Sequence, residues 1–232
     1  MKSLLITIDG PAGAGKTTVS RSLAKRLDYR YIDTGALYRG VAFEAKSKGL
    51  SHDDDVGLEN LCMTLDLKFV FAEDLLRQGA STARGSHLFS NNKNITDQIR
   101  NPEISMLASA VSARPVVRRY LLDLQRDMGD GKRVVFEGRD MGAVVFPGAD
   151  IKFFLDASRK TRALRRYKEL SSKTFLTIEE IEQDMNCRDE NDRTRSLSPL
   201  KPADDAIIID STDLSADEVV ELMLSHIAKK TG

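Results

Sequence analysis

The residues best suited to chemistry stand near the start of the chain, where Gly10-Pro-Ala-Gly-Ala-Gly15-Lys16-Thr17 has the spacing G-x-x-x-x-G-K-T. Glycines at 10, 13 and 15 let the backbone turn through conformations closed to other residues and keep side chains away from its N–H groups. Those groups then converge on an anion at the positive end of the helix that follows. Lys16 adds a mobile point charge able to follow β- and γ-phosphates, and the Thr17 hydroxyl is placed to meet a Mg²⁺ ion. The chemistry indicated is the holding of a polyphosphate.

Four further stretches carry charge at informative positions. In Asp33-Thr-Gly-Ala-Leu-Tyr-Arg39 either Asp33 or Thr34 can cap a helix, while Thr34 and Arg39 also stand at the carboxyl end of a strand, where open parallel sheets bind ligands. Glu137-Gly-Arg139-Asp140 leaves an apolar strand, and such a charged group is costly unless it serves ligands or pairs internally. Ligands are the favoured reading, because the same sheet edge carries the glycine loop. Arg162 lies three and four residues before Arg165 and Arg166, so a helix brings these guanidiniums together, either as a solvated charge run or as a lid closing over transferring phosphates. Arg188, Asp192 and Arg195 fall at i, i+4 and i+7 on one helical face, and a surface ion-pair row has the same pattern.

These groups need a scaffold to position them. An apolar run, Leu4 to Ile8, precedes the glycine loop and Val19 to Leu27 follows as a helix; Tyr29–Ile32 then closes a strand–helix–strand unit of right-handed crossover. Further strands are expected at Arg133–Phe136, Ile151–Leu155 and Ala206–Ile209, which makes a five-stranded parallel sheet flanked by helices, an α/β fold. His52 to Leu65 reads as helical. Residues 66–100 change character, with Leu67–Phe71 a strand and polar, Gly- and Asn-containing segments after it, which suits a few antiparallel strands inserted on the core. Pro102–Ala113 and Pro115–Met128 read as two helices opened by proline, and they carry Ser109 and Arg118. Capping boxes, Thr177-x-x-Glu180 and Ser215-x-x-Glu218, open the last two helices.

At 232 residues the chain suits one domain of 1–232, with an inserted region at about 66–130 and a short helical lid at about 157–172. With 41% hydrophobic and 30% charged residues and no net charge, it lacks the broad positive field of a nucleic-acid binder. No run reaches the length of a membrane span. Cys62 and Cys187 are far apart and read as reduced thiols, and His52, His87 and His226 are scattered without partners, so covalent catalysis is not indicated. A cytoplasmic monomer is expected, with no nucleic-acid or membrane partner.

Taken together, Ile8–Thr17, Asp33–Arg39, Glu137-Gly-Arg-Asp-Met-Gly-Ala-Val-Val-Phe-Pro147 and Arg188-Asp-Glu-Asn-Asp-Arg-Thr-Arg195 resemble the bacterial cytidylate kinases, nucleoside monophosphate kinases of the P-loop class, over essentially the whole chain. The resemblance implies that ATP with Mg²⁺ converts CMP or dCMP to the diphosphate. It implies ATP binding by Gly10, Pro11, Ala12, Gly13, Ala14, Gly15, Lys16, Thr17 and Thr18, with Thr17 on the metal. Thr34, Arg39, Arg139 and Arg195 would hold the acceptor phosphate, Ser109, Arg118 and Asp140 would read the base, and Arg188 with Asp192 the ribose. Lys16, Arg139, Arg162 and Arg166 would serve the transferring phosphoryl group. A kinase for another monophosphate or for shikimate, or a nucleotide-binding switch, are the other readings; acceptor-dependent turnover separates them.

Overall fold

Leu5, Ile6 and Ile8 are buried on both sides of strand β1 (Leu5–Asp9), which is why an uninterrupted apolar run precedes the glycine loop. In the computed structural model, which describes residues 3–72, 85–170 and 176–231, this strand is the middle of a five-stranded sheet. The sheet also contains β2 (Arg30–Asp33), β6 (Val134–Glu137), β7 (Ile151–Asp156) and β8 (Ile207–Asp210), in the order β2-β6-β1-β7-β8. β1 runs parallel to β6 and β7, and β7 parallel to β8. The last strand is shifted one residue from the expected span. Ile8 stands opposite Glu137, so the end of β6 lies beside the start of the glycine loop.

The chain divides into two compact units, Met1–Ile32 with Gly129–Gly232, and Asp33–Met128. In the first, helix α1 (Lys16–Leu27) buries Val19, Leu23, Ala24 and Leu27 in a cluster with Val219, Val220, Met223 and Ile227 of α8 (Ala216–Thr231). The same unit holds α6 (Arg159–Leu170) and α7 (Ile178–Thr194). Both expected capping boxes form: Thr177 and Glu180 bond each other's backbone, and so do Ser215 and Glu218. The lid expected at 157–172 falls on α6, and residues 171–175 lie outside the described residues.

The second unit contains α2 (Thr34–Ser47), α3 (Asp55–Thr64), strands β3 (Leu67–Phe71), β4 (Ser86–Ser90) and β5 (Lys93–Asn94), α4 (Pro102–Val111) and most of α5 (Pro115–Gly129). It therefore takes in residues 33–65 as well as the stretch expected as an insertion. β3, β4 and β5 make the antiparallel sheet expected within 66–100, while residues 73–84 lie outside the described residues. Asp33, not Thr34, caps α2, accepting from the Ala36 N–H at 3.2 Å. Asp54 caps α3, accepting from Gly57, so that helix starts at Asp55 instead of His52. Leu37, Val41, Leu58, Leu88, Val111 and Leu121 form the unit's core. Gly40 brings α2 against β3 and β4, since a Cβ there would meet Leu88 at 3.0 Å and Leu67 at 3.2 Å.

Candidate functional site

The phosphate loop takes the shape its glycines allow. Gly10 (φ 144°) lies so close to β7 that a Cβ would stand 2.0 Å from the Leu155 carbonyl oxygen. Gly13 (φ 73°) packs on the backbone of Arg162, and Gly15 (φ 92°) is the N-cap of α1. With no side-chain cap on that helix, its first N–H groups open toward the loop. Lys16 is 4% exposed and donates to the Pro11 carbonyl at 2.6 Å. Burial first, and then the Arg139 charge, push its ammonium down from 10.5 to about 7, against the pull of Glu137 and Asp189.

At the end of β6, Glu137 is buried and accepts from the Thr17 hydroxyl at 2.8 Å and from the Tyr31 hydroxyl. The end of β1 braces the turn that follows: Asp9 accepts from the backbone N–H of Met141 at 2.9 Å and of Gly142 at 2.8 Å. Met141–Val145 form a π-helical turn, an arrangement that recurs at functional sites. Gly142 is needed there, because a Cβ would stand 2.9 Å from the Thr7 hydroxyl. Burial raises the Asp9 carboxyl to about 6, with Asp140 adding to the rise and the two N–H bonds opposing it. Arg139 and Asp140 are thus carried on a turn fixed at both ends.

The carboxylates of α7 complete an ion cluster in this unit. Asp192 accepts from Arg139 Nε at 3.2 Å and stands 3.7 Å from Arg195, whose other terminal nitrogen is 3.7 Å from Asp140. Burial works against the Arg139 charge, yet Asp192, Asp189 and Glu137 together hold its pKa above the ordinary value. Arg195 caps the C-terminus of α7 and also bonds the Ser198 carbonyl at 2.8 Å, and Arg188 is half-buried on the same helix. The i, i+4, i+7 face is therefore no surface row: it is turned inward, with Asp192 at 4% exposure.

The arginines of α6 divide sharply. Arg162 is 3% exposed and donates to the Ala157 carbonyl, the Ala12 carbonyl and Asp189, whereas Arg166 is 37% exposed and pairs with Glu169 at the surface. Within the second unit, Arg39 pairs with Asp33 at 2.7 Å and Thr34 is buried. Arg118 lies 5.7 Å above the Tyr38 ring and donates to the Ser112 carbonyl, whose own hydroxyl donates to the Ser109 carbonyl.

Comparison with known proteins identifies what carries this arrangement. The sequence profile of the cytidylate kinases matches residues 6–229. The chain belongs to the cytidylate kinase family. It is 46% identical to the cytidylate kinase of Geobacter sulfurreducens over 230 residues, covering 99% of this chain and 94% of that one. It is 43% identical to that of Syntrophotalea carbinolica, covering 99% and 94%. Among solved structures, an uncharacterized protein from Eubacterium ventriosum superposes with a TM-score of 0.51 at 13% identity, covering 98% and 99%, a likeness of fold alone. As a member of the cytidylate kinase family, the chain is a kinase.

Several side chains of this cytidylate kinase site have no expectation behind them in the sequence reading. Asp9 ends β1 next to the glycine loop, and its position directly after an apolar strand is a signal that could have singled it out. Asp189 sits between Arg188 and Asp192 but reaches the phosphate loop, 177 residues away in sequence, where it accepts from the Ala12 N–H at 3.1 Å. Tyr31 and the Ser211 hydroxyl, which donates to the Ala14 carbonyl at 3.1 Å, are joined to the site by the strand order alone.

Proposed function

We propose that the chain transfers the γ-phosphoryl group of ATP to CMP or dCMP, giving CDP or dCDP, by positioning and charge neutralisation without a covalent intermediate. The observation that carries this reading is the juxtaposition, within one unit, of the glycine loop at the end of β1 and the Arg139, Asp140, Asp192, Arg195 cluster following β6, with Ile8 and Glu137 side by side. Loop N–H groups and Lys16 hold the triphosphate, and Arg139 would neutralise charge as the phosphoryl group moves. Arg166, half-exposed and paired with Glu169 at the surface, is able to swing to the phosphates.

The donor set fits Mg²⁺, a hard cation that prefers oxygen: the Thr17 hydroxyl stands beside the buried Glu137 carboxylate at the mouth of the loop. The ion, when bound, neutralises phosphate charge. Thr17 and Glu137 would hold it on the protein side.

The acceptor phosphate, with a second pKa near 6, is largely deprotonated at pH 7, so no general base is required. Asp140 can accept from the exocyclic amine of cytosine and would repel the carbonyl that uracil presents there. Arg188 and Asp192 would serve the ribose and Arg195 the acceptor phosphate; Thr34 and Arg39 for the phosphate, and Ser109 and Arg118 for the base, belong to the same proposal on the strength of the resemblance. A cytoplasmic location and a monomeric state complete it; no described helix is long and apolar enough to cross a membrane. A coupled ADP-release assay with CMP, dCMP, UMP, AMP and dTMP tests it. Turnover with CMP and dCMP far above the others is expected, and absence of turnover with CMP would overturn it.

A further inference from the structure

A loop that turns its N–H groups toward an anion must turn its carbonyl oxygens the other way, where they need donors of their own. In this chain three of these carbonyls have donors that can be named. The Pro11 carbonyl accepts from Lys16 at 2.6 Å, and the Ala12 carbonyl from Arg162 Nη1 at 2.9 Å. The Ala14 carbonyl accepts from the Ser211 hydroxyl at 3.1 Å and from Arg165 Nη1 at 3.3 Å. Ala12 is gripped on both sides, since its N–H donates to Asp189 Oδ1 at 3.1 Å, its carbonyl accepts from Arg162, and Asp189 Oδ2 takes the Arg162 guanidinium.

We propose that Arg162 and Asp189 form a bracket that sets the phosphate loop through Ala12, so that Arg162 is a positioning residue and does not touch the transferring phosphoryl group. This deepens the kinase reading above and departs from the expectation that Arg162 contacts phosphate. The geometry argues for it in two ways. Arg162 and Asp189 have side chains 3% and 2% exposed, and swinging the arginine out would leave a buried carboxylate without the guanidinium bonded to it. The loop is also fitted to this helix: a Cβ on Gly13 would meet the Arg162 carbonyl at 2.8 Å and the Arg162 Cβ at 3.1 Å. Of the three arginines at 162, 165 and 166, Arg166, one turn on and half-exposed, is the one left to meet a nucleotide.

The test separates positioning from mere stability and from direct contact. In the double variant R162M/D189L both buried charges are removed together, so neither is left unpaired, and the urea midpoint should fall only by what the Ala12 and Ala157 backbone groups lose with their partners. Affinity for a non-hydrolysable ATP analogue, measured by calorimetry without acceptor, should fall about tenfold, as expected when a bond to a charged group that shapes the loop is lost. The KM for CMP should hold within about twofold and kcat at saturation within about threefold, the signature of ground-state and transition-state binding weakened alike. Analogue affinity within about twofold of the parent would mean that the pair only stabilises the fold, and a kcat loss of about a hundredfold would mean that Arg162 touches the reacting phosphate. Both results overturn the proposal. Should the double variant not fold, amide exchange in the unaltered, nucleotide-free protein decides: the Ala12 N–H, bonded to buried Asp189, should be protected, and exchange at the rate of an open loop would refute the bracket. Because binding is read without CMP, failure of the acceptor assignment leaves this result standing.

Discussion

Lys16 offers the sharpest quantitative test, through pH. Burial first, then Arg139, with a smaller push from Arg188, lower its pKa from 10.5 to about 7 in the nucleotide-free protein, while Glu137 and Asp189 oppose the change. A bound triphosphate brings negative charge to the same ammonium and restores the proton. If the value in the complex returns to 10.5, binding is nearly independent of pH below 6 and weakens tenfold per unit above 7, roughly 100-fold between pH 6 and pH 9, or about 2.7 kcal/mol. At pH 8 binding should take up about 0.9 proton per site. Calorimetry of a magnesium–ATP analogue, repeated in buffers of different ionisation enthalpy, reads both quantities, and Lys16→Met should lose both along with most of the affinity. Affinity flat within about threefold from pH 7 to 9, or the same slope in Lys16→Met, would refute the account. Folding carries the matching sign: the folded pKa lies below the unfolded one, so the unfolded chain binds more protons between about 7 and 10.5, and the Lys16 contribution makes stability rise with pH across that window.

Three further outcomes are expected. Asp9→Asn leaves a single oxygen for the N–H groups of Met141 and Gly142, so one donor is lost at a cost on the order of 1–3 kcal/mol, read by urea unfolding, and the KM for CMP rises as the Arg139–Asp140 turn loosens. The Asp9 carboxyl, raised to about 6, contributes stability that is full below 3.8 and is lost as pH rises through 6; a variant that keeps this pH dependence would show the wrong group was chosen. Gly13→Ala forces a Cβ to 2.6 Å from Met185 Cε and 2.8 Å from the Arg162 carbonyl at a positive φ, so analogue affinity should drop by a larger factor than the KM for CMP rises, and an unchanged affinity would speak against the loop geometry. Asp140→Asn should narrow the preference for CMP over UMP by a factor corresponding to about 1–3 kcal/mol in kcat/KM, and an equal ratio in parent and variant would remove Asp140 from base reading.

The sequence by itself settled what short spacing can settle. Glycines at 10, 13 and 15 announce a backbone that needs positive φ, and all three have it. Thr177 and Glu180 bond across a single helical turn, an interaction local enough to be written in four consecutive residues. The mainly apolar runs at 4–8, 134–136 and 151–155 marked buried parallel strands because both faces of each are covered. Local pattern left the fate of the charges open. Arg162, Arg165 and Arg166 read alike in sequence, yet the first is sealed against Asp189 and the third lies at the surface, because burial depends on what packs over a helix and not on the helix itself. The strand order β2-β6-β1-β7-β8 is likewise what sets Glu137 beside Ile8 and within reach of Thr17, a partner 120 positions away. An ion pair or hydrogen bond across such a separation leaves no periodicity to read, and only the packed tertiary structure brings its members together.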